Sequence, residues 1–203
     1  MSKTTPTLMT PEGRTEWAHF FEADYKFNEA GIFGCTLFMD SATAKPLTTQ
    51  LDAQLKLSIE RAAEENNKPV AKIKVNPPYT INEETGDVSF KFTLKANVNG
   101  KNGSFTQKPL VIDSKKTPIT EAVPVWNGSR VKLSFQPVLY YTALVGAGVS
   151  LRMKTVQIIE ALTGDGASTA SDMFDVEDGF EYEASAATVA QASDIEEFDD
   201  VPF

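Results

Sequence analysis

The chain holds one cysteine, Cys35, and one histidine, His19. A lone cysteine excludes an internal disulfide and a cysteine-based zinc site. Nucleophilic catalysis of the Ser-His-Asp or Cys-His kind would have to use these two residues, and neither sits in a nucleophile motif. The acidic cluster from Asp172 to Glu183 lacks the glycine placement of a calcium loop. The sequence therefore predicts a protein that is not an enzyme, with no cofactor and no metal. Cys35 reads as a small buried strand residue, and His19, between Trp17 and Phe20, as a satisfied or solvated one.

Long apolar runs are missing too. The best stretches, Val123 to Trp126 and Val138 to Gly148, are short and interrupted, so no membrane span and no membrane partner are expected. The first residues, MSKTTPTLMTPEGR, lack the apolar core and cleavage site of a secretory signal, and a cytoplasmic protein is expected.

Positive charge is absent from one part of the chain. The 203 residues carry 19 Lys and Arg against 28 Asp and Glu, a net charge of −9, which taken alone argues against a nucleic-acid partner. No Lys or Arg follows Lys154, however, and residues 163–203 hold 12 of the acids. Removing 12 from 28 leaves 16 acids against all 19 bases in residues 1–162, a net charge of +3. A mildly basic body precedes a strongly acidic tail.

The same boundary appears in composition. TGDGASTASD opens a stretch rich in Ala, Ser, Thr and Gly with neither helical nor strand periodicity, too poor in apolar residues to offset its ordering entropy. Residues 1–162 are expected to form one folded domain and residues 163–203 a disordered acidic tail. The tail ends in DIEEFDDVPF, where apolar residues alternate with acids. Phe198, Asp199, Asp200, Pro202 and Phe203 make a peptide that can seat its aromatic in a partner's pocket while its charges meet Lys and Arg.

Within the body, Thr15 to Phe21 and Ile32 to Asp40 read as aromatic-rich strands, with a bend or bulge at Gly31 and Gly34. Between Pro46 and Asn67 the period changes to 3.6, with Leu51, Leu55, Ile59 and Ala62 or Ala63 on one face and Thr48 as N-cap. Strand signals then dominate. Val88 to Lys95 alternates strictly, Asn97 to Gly103 is a hairpin turn leading to Ser104 to Ile112, and Arg130 to Tyr141 and Gly146 to Leu162 are two further strands. On the last, Leu151, Met153 and Thr155 are placed on the apolar face. Five to seven strands and one helix, without regular strand-helix alternation, predict a mainly β fold: a small barrel capped by a helix.

Several of these strands pair an apolar face with one that carries two cations: Lys72 with Lys74, Lys91 with Lys95, Arg130 with Lys132, and Arg152 with Lys154. On one strand this is an ordinary solvated face. On four adjoining strands it is a groove for a phosphate backbone. A binder of single strands also needs aromatic platforms on which bases stack. Trp17, Tyr25, Phe27, Phe33, Tyr79, Trp126, Tyr140 and Tyr141 are available. Trp126, in a loop beside Asn127-Gly128, and Tyr79, after two prolines, are the leading candidates.

Five segments carry a family resemblance: TPEGR from Thr10, DYKFNEAGIF from Asp24, PLVID from Pro109, Asn127 to Leu162 as a block, and the terminal DIEEFDDVPF. In these the chain resembles the single-stranded DNA-binding proteins of short-tailed phages. The end, Asp-Asp-Val-Pro-Phe, is also similar to that of bacterial single-stranded DNA-binding proteins. The resemblance implies a five-stranded OB-fold barrel with one helix. It also implies sequence-independent coating of single-stranded DNA in phage replication, recombination and repair, in the infected cell. The tail would recruit phage or host replication and recombination proteins and compete with DNA for the basic groove; a homodimer formed through the tail is compatible with this. The alternative reading is an acidic DNA mimic that blocks a DNA-processing protein, which accounts for the tail but leaves the basic pairs idle.

Overall fold

The structure, a computed structural model, describes residues 6–26, 28–100 and 103–162. Phe27 and the tail, with Phe198, Asp199, Asp200, Pro202 and Phe203, lie outside the described residues. The elements in chain order are β1 (Leu8–Met9), β2 (Gly13–Asp24), β3 (Ile32–Met39), α1 (Ser41–Glu65), a 3-10 turn (Val70–Lys72), β4 (Val75–Asn76), β5 (Tyr79–Ile81), β6 (Val88–Lys95), β7 (Asn97–Gly100), β8 (Gly103–Thr106), β9 (Leu110–Ile112), β10 (Arg130–Thr142) and β11 (Gly146–Glu160).

Five long strands close on themselves. β2 pairs with β3, β3 with β6, β6 with β11, β11 with β10, and β10 returns to β2. All these pairings are antiparallel except that of β6 with β11, which is parallel. Closure removes the exposed sheet edges that an open sheet of this size would leave. β1, β4, β5 and β9 add short segments to the ring, while β7 and β8 form a separate hairpin. The barrel and, among the described residues, the single α-helix agree with the architecture expected from the sequence. The segment read as one strand from Ser104 to Ile112 is instead two, β8 and β9, because Pro109 removes a ladder donor between them.

Period-2 alternation fills the barrel. Val88, Phe90, Phe92 and Leu94 of β6 are buried, as are Val131, Leu133 and Phe135 of β10 and Leu151 and Met153 of β11. The rings of Phe92 and Phe135 meet edge to face with centroids 5.1 Å apart. Full burial of such side chains contributes roughly 1.5–3 kcal/mol each. β11 departs from the expected pattern after Met153: Phe135 faces Met153 but Ser134 faces Thr155, so Lys154 is an extra residue in a bulge. Inward placement passes to Val156 and Ile158, and not to Thr155.

α1 begins five residues before the expected Pro46. Asp40, not Thr48, is the N-cap: its carboxylate accepts the Thr43 backbone N–H at 2.9 Å and the Thr43 hydroxyl at 2.6 Å. Pro46 is tolerated within the helix because it and Ala42, whose carbonyl it leaves without a helical partner, lie on the exposed side. Ala44, Leu47 and Leu51 join the barrel core; Ala62 and Ala63 pack with Ile73 and Ala147 in a second, smaller one. Between them the buried Ser58 hydroxyl donates to the carbonyls of Tyr140 and Gly148, tying the helix to β10 and β11. Among the described residues no helix is long and apolar enough to cross a membrane.

Candidate nucleic-acid interface

Because Val88, Phe90, Phe92 and Leu94 point inward, Ser89, Lys91, Thr93 and Lys95 must point outward. The register decides what stands beside them. On β3, Phe38 lies opposite Ser89, Thr36 opposite Lys91, Gly34 opposite Thr93 and Ile32 opposite Lys95. On the other edge of β6 the parallel pairing sets Arg152 beside Thr93. Arg152 in turn faces Gln136 on β10, and Gly34 faces His19 on β2. A row of outward positions thus crosses the whole barrel: His19, Gly34, Thr93, Arg152 and Gln136. Gly34 has no space for a side chain, since an added Cβ would lie 2.6 Å from the Phe92 carbonyl oxygen.

This face holds a cleft of about 450 Å³ whose walls include Thr36, Lys91, Thr93, Ser150, Tyr79 and Tyr140. Thr80 and Ser89 are shared with a second cleft of about 480 Å³, which runs on to Arg14, Asn82 and Gly128. The two make a continuous polar path across β11, β6, β3 and β2. Hydroxyls, amides and Lys91 offer hydrogen-bond partners and charge to a phosphodiester chain.

The cations predicted from sequence divide into groups. Lys91, Lys95 and Arg152 share the open face and are exposed. Lys154, at its bulge, and the half-buried Lys132 continue outward along the β10–β11 ribbon. Arg130 is taken up by carboxylates: its guanidinium lies 2.7 Å from Glu12 and 3.4 Å from Glu160. Lys72 and Lys74 are not on an alternating strand. Lys72 closes the 3-10 turn after Pro69, and Lys74 precedes the two-residue β4, because prolines at 69, 77 and 78 interrupt extended pairing. The Lys74 ammonium donates to the Leu144 carbonyl at 3.1 Å. Two residues on, Asn76 lines the first cleft and donates through its amide to the Tyr140 hydroxyl.

The aromatics divide as well. Tyr79 forms a wall of the first cleft, its ring 5.9 Å from Phe90 and its hydroxyl donating to Asp52 at 2.9 Å. Partial burial, with the Asp52 carboxylate beside it, raises its pKa above the usual phenol value. Phe33 is buried in the core and presents no free ring, while Tyr141 packs against the second core. Trp126 is exposed in its loop, and Trp17 and Tyr25 are exposed as well. Sequence reasoning passed over Thr36, Thr93, Ser150, Asn76 and Arg14. The outward alternation of β6 marks Thr93, but the others are gathered by long-range pairing that no local pattern announces.

A closed barrel of five strands in the order β2–β3–β6–β11–β10, with a helix packed on it and a polar, basic outer face, defines an OB-fold protein. The chain belongs to the family of the single-stranded DNA-binding protein of Enterobacter phage Enc34, whose family model matches residues 7–187. It is 30% identical over 115 residues to the single-stranded DNA-binding protein of Enterobacteria phage T3, covering 55% of this chain and 49% of that protein. It is 27% identical over 143 residues to that of Escherichia phage T7, covering 68% and 60% respectively. The matched stretches thus span about half to three-fifths of those relatives' length. Among solved structures, the T7 single-stranded DNA-binding protein superposes with a TM-score of 0.72 at 20% identity, covering 89% of this chain and all (100%) of that one. The Enc34 protein in complex with single-stranded DNA gives 0.54 at 12% identity, covering 77% and 88%.

Proposed function

We propose that this chain binds single-stranded DNA without sequence preference, coating exposed strands during phage replication, recombination and repair in the infected bacterial cell. The observation that carries the proposal is the register that sets Arg152 beside Thr93, and so gathers Lys91, Lys95 and Arg152 on one open face. The strand runs across β11, β6 and β3 through the paired clefts. Its phosphates meet these cations, Lys132 and Lys154 extend the field, and Lys74 stands at the Asn76 margin; Lys72 lies farther out along the same segment. Trp126 and the Tyr79 wall supply aromatic surface. Membership of the Enc34 family supports this reading over a DNA mimic, which would leave the basic face without an occupant.

The body, residues 1–162, is the binding domain, and the acidic tail, residues 163–203, recruits replication and recombination proteins through Phe198, Asp199, Asp200, Pro202 and Phe203. Both tail and DNA are polyanions, so the free tail competes for the basic face and is released when DNA binds.

Fluorescence anisotropy of a labelled oligonucleotide tests the proposal. Single strands of different sequence should bind with similar affinity and more tightly than the matching duplex. Equal binding of duplex, or none of any strand at low salt, would overturn it.

A further inference from the structure

The chain contains two tryptophans, and both are exposed: Trp17 at 70% and Trp126 at 57%. They flank one hydrogen-bonded junction. On β2, Glu16 faces Thr36 and His19 faces Gly34, so Trp17 and Ala18 together oppose Cys35 in a bulge. Trp17 has φ 55°, a left-handed conformation that disfavours a bulky side chain. Its backbone N–H donates to the Asn127 side-chain oxygen at 2.9 Å. The loop after Trp126 is fastened to the same strand by Thr15 N–H to the Ser129 carbonyl and Gly128 N–H to the Thr15 carbonyl, both at 2.8 Å. Trp126 itself is held through its N–H to the Leu162 carbonyl at 3.1 Å.

Neither indole packs into the two cores. A large aromatic kept in strained backbone yet left in solvent contributes little to folding, and such strain gathers at binding sites. The second cleft ends here, since Glu16 and Gly128 are among its walls. At this end the arginines are already committed, Arg14 to Asp87 at 3.3 Å and Arg130 to Glu12 and Glu160. A strand arriving from the Lys91 cleft therefore meets few uncommitted cations and two open π-faces. Stacking of bases, more than contact with phosphates, is what this surface favours.

We infer that Trp17 and Trp126 form a two-ring stacking platform for the bases of a single strand that leaves the Lys91 cleft past Arg14. The inference rests on the DNA-binding proposal and adds a second, non-ionic contact point to it, with Asn127 tying the Trp17 backbone to the loop that carries Trp126.

Since these are the chain's two tryptophans, fluorescence excited at the red edge of indole absorption, where tyrosine does not absorb, reports on the platform alone. The full chain is titrated with a thymidine oligonucleotide of about 16 nucleotides, toward the upper end of OB-fold site sizes, while anisotropy of an end label follows binding. An abasic strand of equal length serves as a second probe. Quenching should accompany the thymidine strand and not the abasic one. Trp17→Gly should weaken thymidine-strand binding about tenfold, leave the salt slope unchanged because no phosphate contact is lost, and leave the melting temperature equal or higher, because glycine relaxes the left-handed φ. Trp126→Ala should weaken binding comparably. Bound thymidine strand with unaltered fluorescence, or Trp17→Gly and Trp126→Ala binding like the parent, overturns the platform and leaves the DNA-binding proposal intact. No anisotropy rise for any strand at low salt overturns both.

Discussion

Arg152 stands beside Thr93 across the parallel pair β11 and β6, and Thr93 lies between Lys91 and Lys95 on the outward side of β6. A cation of β11 thereby joins two of β6, a strand far from it in sequence. At about 3.3 Å per residue and about 4.8 Å between strands, Lys91 and Lys95 stand about 13 Å apart along β6, with Arg152 one strand to the side of their midpoint.

Arg130 is expected to behave differently from these three. With its guanidinium held by Glu12 and Glu160, Arg130→Ala should leave the salt slope of DNA binding unchanged and lower stability by at most about 1 kcal/mol, the range of half-exposed ion pairs. Parallel salt titrations and urea melts of parent and variant check both.

Gly146 has φ 103°, and a Cβ there would overlap the Lys74 carbonyl, which accepts the Ala147 N–H. Gly146→Ala should therefore destabilise by more than about 1 kcal/mol and loosen β4 from β11. Thermal unfolding gives the stability change, and faster hydrogen exchange at the Ala147 amide locates it.

Cys35 is buried, and desolvation pushes its thiol up to about 12. In the unfolded chain the thiol ionises near about 8.5. The stabilisation tied to the neutral thiol is thus complete below about pH 8.5 and falls as pH rises toward 12. Native protein at pH 8 should resist a thiol reagent, reacting only as fast as it opens, whereas urea-unfolded protein should react at once. Rapid labelling of the native protein would contradict this.

Deleting residues 194–203 removes Asp194, Glu196, Glu197, Asp199 and Asp200 together with the terminal Phe203. Competition between tail and DNA predicts that the deleted protein binds an oligonucleotide several-fold more tightly at low salt, that the difference fades as salt screens both polyanions, and that capture of replication proteins is lost. Titrations at two salt concentrations and co-purification from infected cells measure these effects.

Much of the barrel was legible because its strands alternate cleanly. Val88 to Lys95 declares both its buried and its basic side, and the outward placement of Lys91, Lys95 and Arg152 is readable that way. Lys72 and Lys74 show where the same rule fails: alternation around Ile73 imitates a strand, but neighbouring prolines leave only a turn and two residues of β4. The neutralised state of Arg130 was hidden because Glu12 and Glu160 reach it only after β10 has paired with both β2 and β11. Trp17 carries no local sign of its bulge, since no glycine marks it; the left-handed φ is imposed by pairing on both sides. The start of α1 is hidden in the sequence because Pro46 reads as a boundary, while the Asp40 cap and the buried Ala44 and Leu47 extend the helix past it.

The most direct test of the account is the salt dependence of single-strand binding by the triple variant Lys91→Glu, Lys95→Glu, Arg152→Glu beside the parent. Single-stranded DNA contributes about 0.7 to the slope of log affinity against log salt for each phosphate contact. Losing three contacts should weaken low-salt binding by at least a hundredfold and flatten the slope by about two. A variant that keeps its fold, affinity and slope would show that the strand does not cross this face.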